Sequence, residues 1–221
     1  MMTLKQTYVR QNIEKQLISE KKDDKVYEKV TDPVFLTDIG YVTLTLDDGP
    51  SVHTEKLLEI LAERRARAIF FMIGENVAKN PRLARAVVEA GHVIGNHSYS
   101  HPFFTKISAL EAGQQLDRTN RLIADATGVI PTYFRPPYGA FNESTLLLAT
   151  QKNMKVVMWS ADPKDYSFNT GNSVFRATNP LIASRKILLL HDLKEATVDA
   201  LPQIIDAVRQ NKLEITTQYE H

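Results

Sequence analysis

The stretch Tyr41-Val-Thr-Leu-Thr-Leu46 runs directly into Asp47-Asp48-Gly49-Pro50, so that an apolar run ends in a polar turn. β-branched and aromatic residues favour extended backbone, and a short apolar run of this kind indicates a buried strand. Apolar runs and helical patterns go on alternating along the rest of the chain. Because repeated strand–helix units predict a parallel sheet, we expect an α/β protein whose sheet is open or closed into a barrel.

Further apolar runs mark the other strands of this sheet. They are Ala68–Ile73, Val93–Ile94, Tyr133–Phe134, Val156–Trp159 and Ile187–Leu190. Helix signals lie between these strands. Thr54 is a cap before Leu57, Leu58 and Leu61, Asn80-Pro81 and Gly91 mark the two ends of a second helix, and a Ser108-x-x-Glu111 capping box begins a third that Gly128 ends. Two more helices are predicted over Ser144–Gln151 and after Thr197. About six or seven such units approach the size of a (β/α) barrel.

Composition excludes several functional classes. The 221 residues carry a formal net charge of +1, which argues against binding nucleic acid by bulk electrostatics. The chain has no cysteine, so a metal site must use histidine and carboxylate ligands. No apolar run is long enough for a transmembrane helix. The N-terminus lacks the apolar core of a secretory signal, which predicts a cytoplasmic protein, or a secreted or cell-envelope protein if a leader precedes this sequence.

Residues 1–38 differ in character from the rest of the chain. Val9, Ile13 and Leu17 recur at helical spacing and form a thin apolar stripe. Charged residues occupy eight of the ten positions from Glu20 to Lys29. This composition is typical of a solvated surface extension, and we expect a charged extension over residues 1–38 followed by a catalytic domain over residues 39–221.

Polar residues with catalytic potential follow the predicted strands. Asp47-Asp48, His97, Arg135 and His191 each come just after an apolar run. In parallel α/β folds the carboxyl ends of the strands meet at one edge, where active sites form. We therefore expect these side chains, although far apart in sequence, to converge there.

The aspartate and histidine pairs predict a metal site. Adjacent residues leaving a strand point in different directions, so one carboxylate of Asp47-Asp48 can bind a metal while its neighbour acts as a base; the alternative is a turn with solvated acids. His97 and His101 have the spacing that brings two imidazoles to one side of a helical turn. Since Pro102 allows only a short turn, the alternative for them is a hydrogen-bonded surface pair.

Two further segments add an oxyanion donor and an acid. In Arg135-Pro-Pro-Tyr-Gly139 the prolines hold the following peptide N–H groups in place, and a fixed N–H beside a metal can bind a developing oxyanion. Arg135 can pair with a carboxylate, although a proline-rich structural loop is the simpler interpretation. His191 ends the last strong strand and can supply a proton near neutral pH.

Five ordered motifs together resemble those of the polysaccharide deacetylase family, carbohydrate esterase family 4, which includes the chitooligosaccharide deacetylases. They are Thr45-Leu-Asp-Asp-Gly-Pro50, His97-Ser-Tyr-Ser-His101, Arg135-Pro-Pro-Tyr-Gly139, Trp159-Ser-Ala-Asp-Pro-Lys-Asp165 and Leu188-Leu-Leu-His-Asp192. The resemblance extends over residues 40 to 217. It implies a distorted (β/α) barrel of about seven parallel strands.

The resemblance also implies a role for each matching residue. Asp48, His97 and His101 match the ligands of a divalent metal, usually zinc, with cobalt, manganese or nickel as alternatives. Asp47 matches the general base and His191 the general acid. Arg135 matches the arginine that orients the base, and Asp165 matches the aspartate that supports the acid. The Tyr138 backbone N–H matches the oxyanion donor. Trp159 and Leu189 match the apolar pocket for the acetyl methyl.

The expected partner is an N-acetylated glycan, such as a chitooligosaccharide, peptidoglycan or an exopolysaccharide. Tyr166 stands where the family usually has tryptophan, which affects how a sugar stacks. Two other functions stay open: hydrolysis of a small non-sugar amide by the same metal site, and a non-catalytic glycan-binding relative. The intact set of acid, base and ligands argues against the latter, because binding alone needs neither acid nor base.

Overall fold

The computed structural model describes residues 30–219. Within this range strands and helices alternate along the chain. Their bounds are β1 Tyr41–Asp47, α1 Thr54–Glu63, β2 Ile69–Met72, α2 Gly74–Lys79, α3 Pro81–Glu89, β3 Val93–Asn96, α4 Ala109–Thr127, β4 Tyr133–Phe134, α5 Glu143–Gln151, β5 Lys155–Val156, α6 Gly171–Thr178, β6 Lys186–His191, α7 Glu195–Gln210 and β7 Glu214–Ile215. The expected alternation of strand and helix is confirmed.

The strands form one parallel sheet in the order β5-β4-β3-β2-β1-β6, and β7 pairs with the start of β1. Two isolated parallel bridges lie at the outer strands: Val34, from the segment before β1, pairs with Val157 just after β5, and Ala161 pairs with Leu188 of β6. These bridges curl the sheet towards closure. The fold is therefore the distorted (β/α) barrel that the motifs imply.

Side chains on β1 alternate between the two faces of the sheet. Val42, Leu44 and Leu46 belong to the cluster that packs against the surrounding helices. Thr43, Thr45 and Asp47 therefore point to the barrel interior, because successive side chains of a strand face opposite ways. The register places Asp47 beside Phe71 of β2 on one side and His191 of β6 on the other. The last residue of β1 thus lies at the centre of the carboxyl edge.

Helix ends agree with most of the sequence signals. The Ser108 side chain accepts the Glu111 N–H, and Gly128 ends α4 in the left-handed conformation with φ of 75°. Pro81 occupies the first turn of α3, as expected. The prediction that Thr54 caps α1 is wrong, because its hydroxyl donates to the carboxylate of Asp192 instead.

Three other helix bounds differ from expectation. The last helix begins at Glu195, ahead of Thr197, and its first turn lies directly after the loop that follows β6. The helices Gly74–Lys79 and Gly171–Thr178 are absent from the sequence prediction, because runs of six and eight residues are too short for a helical pattern to stand out. Both still place one or two buried side chains against the core.

The segment just before β1 packs on the barrel. The Val34 N–H donates to the Val156 carbonyl, and the Thr37 N–H donates to the Arg185 carbonyl. The apolar stripe Val9, Ile13 and Leu17 and the charged run Glu20 to Lys29 lie outside the described residues, so the proposed extension over residues 1–38 stays a prediction. Within residues 30–219, no helix combines the length and apolar character that a membrane span requires.

Candidate active site

The polar residues that follow the strands converge at the carboxyl edge of the sheet. Asp47 ends β1, His97 directly follows β3, Arg135 follows β4 and His191 ends β6. Asp47 contacts Arg135 and His97, and the register of β1 and β6 places His191 directly beside it. The predicted convergence is confirmed, and it brings together residues as much as 144 positions apart.

Asp48, His97 and His101 form a compact cluster of ligand-type atoms. Asp48 Oδ1 lies 3.3 Å from His97 Nε2 and 3.2 Å from His101 Nε2. The two Nε2 atoms are 3.2 Å apart. In the described part of the chain this is the group of histidine and acidic residues whose ligand atoms are close enough to hold a metal ion.

The donor set of this cluster fits a divalent metal. His97 Nδ1 lies 2.6 Å from the Arg135 carbonyl oxygen, which can only accept, so Nδ1 carries the proton and the Nε2 lone pair faces Asp48. Asp48 Oδ1 is buried without a hydrogen-bond partner among the described residues. A buried carboxylate oxygen without a donor, facing two imidazole nitrogens, is the arrangement that two histidines and one carboxylate give a metal.

The histidine pair lies on a loop, so the prediction of a helical turn is wrong. Ser98 and His101 both have positive φ, 67° and 60°. The Ser98 N–H donates to Asn96 Oδ1 at 2.7 Å, and the His101 N–H donates to the Ser98 hydroxyl at 3.0 Å. These side-chain acceptors replace the helical hydrogen bonds, and the loop brings the two rings together edge to face.

Arg135 is fully buried and fixes the carboxylate of Asp47. Its Nη1 donates to Asp47 Oδ1 at 2.8 Å and to the Thr45 hydroxyl at 2.6 Å. Its Nε and Nη2 donate to the carbonyls of Val157 and Met158. The guanidinium is therefore held on every side, and Asp47 Oδ2 is left facing His97 Nε2 at 3.7 Å.

His191 is paired with the buried carboxylate of Asp165. Asp165 Oδ1 lies 2.7 Å from His191 Nδ1, while Oδ2 accepts the His191 N–H at 2.8 Å and the Thr197 hydroxyl at 2.7 Å. Burial on its own lowers the pKa of His191, but the hydrogen bond and charge of Asp165, with the charges of Asp47 and Asp48, raise it from 6.5 to about 9. The ring is thus held as a cation whose Nε2 proton is available at neutral pH.

Tyr138 lies half-exposed at the rim beside the metal cluster. Its backbone has φ of 59°, and its ring stacks on Phe103 at 3.9 Å and meets His101 edge-on at 4.5 Å. The next residue, Gly139, packs so closely against Trp159 that a Cβ would come within 2.7 Å of that ring. The Pro-Pro loop thus turns sharply at the position where the sequence predicts a fixed N–H.

The remaining predicted pocket residues are placed around this centre. Leu189 is 4% exposed and lies on the same face of β6 as His191, two residues earlier. Trp159 packs against a buried cluster that includes Phe71 and Val157, and its ring is 5.6 Å from the Arg135 guanidinium. Tyr166 is half-exposed, and its ring stands perpendicular to His191 at 5.3 Å.

Two residues that the sequence did not single out, Asn76 and Asp192, hold Asp48 and the loop that follows it. The Asn76 side-chain amide donates to the Asp48 carbonyl at 2.8 Å. Asp192, fully buried, accepts from the hydroxyls of Ser51 and Thr54. Asp192 stands next to His191 in a motif, a signal that could have singled it out, whereas Asn76 carries no local signal.

A family model described as polysaccharide deacetylase matches residues 37–157 of this chain. The peptidoglycan-N-acetylglucosamine deacetylase of Bacillus cereus is 36% identical over an alignment of 176 residues, and the match covers 76% of this chain and 63% of that protein. Of two other curated relatives, peptidoglycan deacetylases from Listeria monocytogenes and Bacillus subtilis, the chain spans 37% and 46% of the length. The chain thus spans less than two thirds of each of these relatives.

Solved structures share the fold. A family 4 carbohydrate esterase from Streptomyces lividans, in complex with acetate, is 34% identical with a TM-score of 0.75, over 79% of this chain and 90% of that one. A pseudoenzyme of the same esterase family from Bacillus anthracis is 28% identical with a TM-score of 0.78, over 94% and 78% of the two chains. Since this fold occurs with and without activity, function has to be argued from the side chains of the site.

Proposed function

The chain belongs to the polysaccharide deacetylase family, and from this premise we propose that it is a metal-dependent hydrolase that removes N-acetyl groups from N-acetylated amino sugars of a glycan. One observation carries the proposal: the cluster of Asp48, His97 and His101 shares one edge of the sheet with a carboxylate held by arginine and a histidine held by aspartate. A site that only binds glycan needs neither pair.

Asp48, His97 and His101 would hold the metal through one carboxylate oxygen and two Nε2 atoms. A divalent ion bound there supplies Lewis-acid polarisation of the acetamide carbonyl and lowers the pKa of a bound water. We expect zinc, with cobalt, manganese or nickel as alternatives, because sites of nitrogen and oxygen ligands accept several divalent ions. The hydrogen bond from His97 Nδ1 to the Arg135 carbonyl fixes the ring that presents Nε2.

Asp47 and His191 divide the two proton transfers of amide hydrolysis. In this proposal Asp47 Oδ2 takes the proton from the attacking water, which is supported by the Arg135 contact at Oδ1 that leaves Oδ2 free. His191, kept protonated by Asp165, donates a proton from Nε2 to the leaving nitrogen. An amide nitrogen leaves poorly unless protonated, so the cation on His191 matters for bond cleavage.

Three further residues surround the reacting acetamide in this proposal. The Tyr138 backbone N–H donates to the oxyanion, and losing such a donor typically costs about 3 kcal/mol of transition-state stabilisation. Trp159 and Leu189 form the apolar pocket for the acetyl methyl. Tyr138 and Tyr166 are both half-exposed at the rim, which supports stacking of sugar rings on either side of the site.

Local contacts must provide substrate recognition. The net charge of +1 gives no overall field that would gather an anionic polymer. Binding energy from neighbouring sugars can instead position the reacting acetamide. We therefore expect oligomers of N-acetylglucosamine to be deacetylated with higher kcat/KM than the monosaccharide, and we expect added salt to leave this preference unchanged.

Acetate release tests the proposal directly. The substrates are N-acetylglucosamine from monomer to tetramer, intact peptidoglycan and a simple acylamide, each with chelator and with added Zn²⁺ or Co²⁺. We expect His191→Asn to lose activity and His53→Asn, which changes a histidine of the neighbouring loop, to retain it. Activity that survives rigorous metal removal would refute the mechanism. An acylamide that reacts as well as the tetramer would favour the small-amide hydrolase.

A further inference from the structure

Asp48 adopts a backbone conformation that L-residues rarely adopt. Its φ is 72°, in the left-handed region, where aspartate is tolerated but not favoured. This conformation directs the side chain towards His97 and His101. Residues in sparsely populated regions persist only when surrounding contacts hold them there, so the contacts to this segment determine where the carboxylate lies.

The first half of the Asp48–Thr54 loop is held from the side of β2 and α2. The Asp48 N–H donates to the Phe71 carbonyl at 3.0 Å, and the Ile73 N–H donates to the Gly49 carbonyl at 2.9 Å. The Asp48 carbonyl accepts a hydrogen bond of 2.8 Å from the Asn76 amide. The contact from Asn76 is made by a side chain, so a substitution at Asn76 can remove it.

The second half of the loop is held from the side of β6. Thr54 Oγ1 donates to Asp192 Oδ2 at 2.5 Å, and Ser51 Oγ donates to Asp192 Oδ1 at 2.9 Å. The Asp192 N–H binds the Asp47 carbonyl at 2.8 Å. Gly49 lies against the same carboxylate, and a Cβ at this position would collide with it. Asp192 therefore packs into the inside of the loop.

We propose that Asn76 and Asp192 are positioning residues for the metal ligand Asp48, and that together they set the metal affinity of the site. Asn76 fixes the carbonyl of Asp48, and Asp192 fixes the chain that leaves it through Ser51 and Thr54. Neither side chain touches the metal position. The inference rests on the proposed function, because it concerns the ligand set that this function requires.

The consequence is a loss of affinity when either contact is removed. A carboxylate that is free to leave the two imidazoles must be reordered each time a metal binds. The entropy lost in that ordering makes metal binding less favourable. Residues that orient metal ligands typically change affinity by about 10- to 100-fold when replaced. We expect a loss of about 10-fold for each contact, since backbone hydrogen bonds continue to hold part of the loop.

The test measures Co²⁺ binding to the metal-free full chain by competition with a chromophoric chelator. Asn76→Leu removes the donor to Asp48 at similar volume, and Thr54→Val removes the hydroxyl that binds Asp192. We expect both variants to bind Co²⁺ about 10-fold more weakly. We also expect a changed visible spectrum of the bound ion, which reports its ligand geometry and which a mere loss of stability would leave unchanged.

Matched variants separate positioning from general destabilisation. Thr54→Ser keeps the hydroxyl and should restore the wild-type affinity. Asn80→Leu changes an exposed asparagine four residues along the chain from Asn76, and Thr178→Val removes a buried hydroxyl that donates to the Val174 carbonyl within α6. Both controls should bind Co²⁺ as the wild type does, whatever their effect on the unfolding free energy.

The outcomes distinguish this inference from the proposed function. Weak binding by Asn76→Leu and Thr54→Val, with wild-type binding by Thr54→Ser, supports the inference. Wild-type affinity and spectrum in both Asn76→Leu and Thr54→Val would overturn it while leaving the proposed function intact. A wild-type chain that binds no Co²⁺ would overturn the proposed function and this inference together.

Discussion

Replacing Asp165 by asparagine removes the charge that holds His191 as a cation. The Asp165 carboxylate is fully buried and accepts three hydrogen bonds, two of them from His191. Asparagine has nearly the same shape but only one acceptor oxygen and no charge. We expect Asp165→Asn to keep the fold while shifting the protonation of the general acid.

The expected shift in the pKa of His191 follows from two opposing influences, burial of the ring and the nearby carboxylates. Its pKa is raised from 6.5 to about 9, although burial alone acts in the opposite direction. Since one unit of pKa corresponds to about 1.4 kcal/mol, the surrounding carboxylates favour the cation by about 3 kcal/mol or more. Without the largest of these contributions, the pKa of His191 should fall to its ordinary value or below.

The assay is the pH dependence of kcat/KM for an N-acetylglucosamine oligomer. The acid must be protonated, so activity should fall only above about pH 9 in the wild type but already above about pH 6.5 in Asp165→Asn. At pH 8 the variant should lose about 10-fold or more relative to its own rate at pH 6, because little of its His191 carries a proton. The comparison of two rates within one variant cancels any change in metal content.

The Thr197 hydroxyl also binds Asp165, and its removal leaves the charge of Asp165 in place. Thr197→Val removes one hydrogen bond to Asp165 but leaves the charge, and it should move the alkaline limb by less than about one pH unit. If the alkaline limb of Asp165→Asn lies within about half a unit of the wild type, Asp165 does not set the protonation of His191 and our account of the acid is wrong.

Three further predictions concern the base, the N-terminal segment and pH-dependent stability. Asp47→Asn should keep about one metal per chain yet lose roughly 10²-fold in turnover, whereas Asp48→Asn should lose the metal; metal analysis with the opposite result would reverse the two roles. Deleting residues 2–24 should leave acetate release largely unchanged, and a large loss in a folded variant would show that the segment contributes to the site. Burial lowers the pKa of His92 to about 4, and the charge of Arg67 adds to this. The unfolded state therefore binds a proton first, so the free energy of unfolding should fall by about 2 kcal/mol between pH 6.5 and 4. In urea titrations His92→Asn, which keeps an acceptor for the neighbouring N–H, should show a flatter profile over this range.

The sheet could be predicted because several of its strands have the local residue composition of buried strands. Tyr41–Leu46 and Ile187–Leu190 are short apolar runs, and each ends in residues that a buried strand excludes. Helix ends with a cap chemistry, such as Ser108 and Gly128, were predicted for the same local reason. The helix Gly74–Lys79 was missed because six residues carry too little periodicity, and its stability comes from contacts with distant parts of the chain.

The residue types of the site were equally accessible from the sequence. With no cysteine in the chain, only histidine and carboxylate could bind a metal, and these residues follow the strands whose ends must meet in a parallel barrel. The sequence therefore determined the fold class, the edge at which the site forms and the set of side chains from which it is built.

Tertiary structure alone decided how those side chains are held. The sequence spacing of His97 and His101 suggested a helical turn, but Asn96 and Ser98 accept the backbone donors and form a loop instead. Asp48 takes a left-handed conformation because groups from β2 and α2 bind its backbone on both sides. Hydrogen bonds act only within about 3 Å, so their partners depend on which distant segments folding brings together, and no local pattern of residues records that.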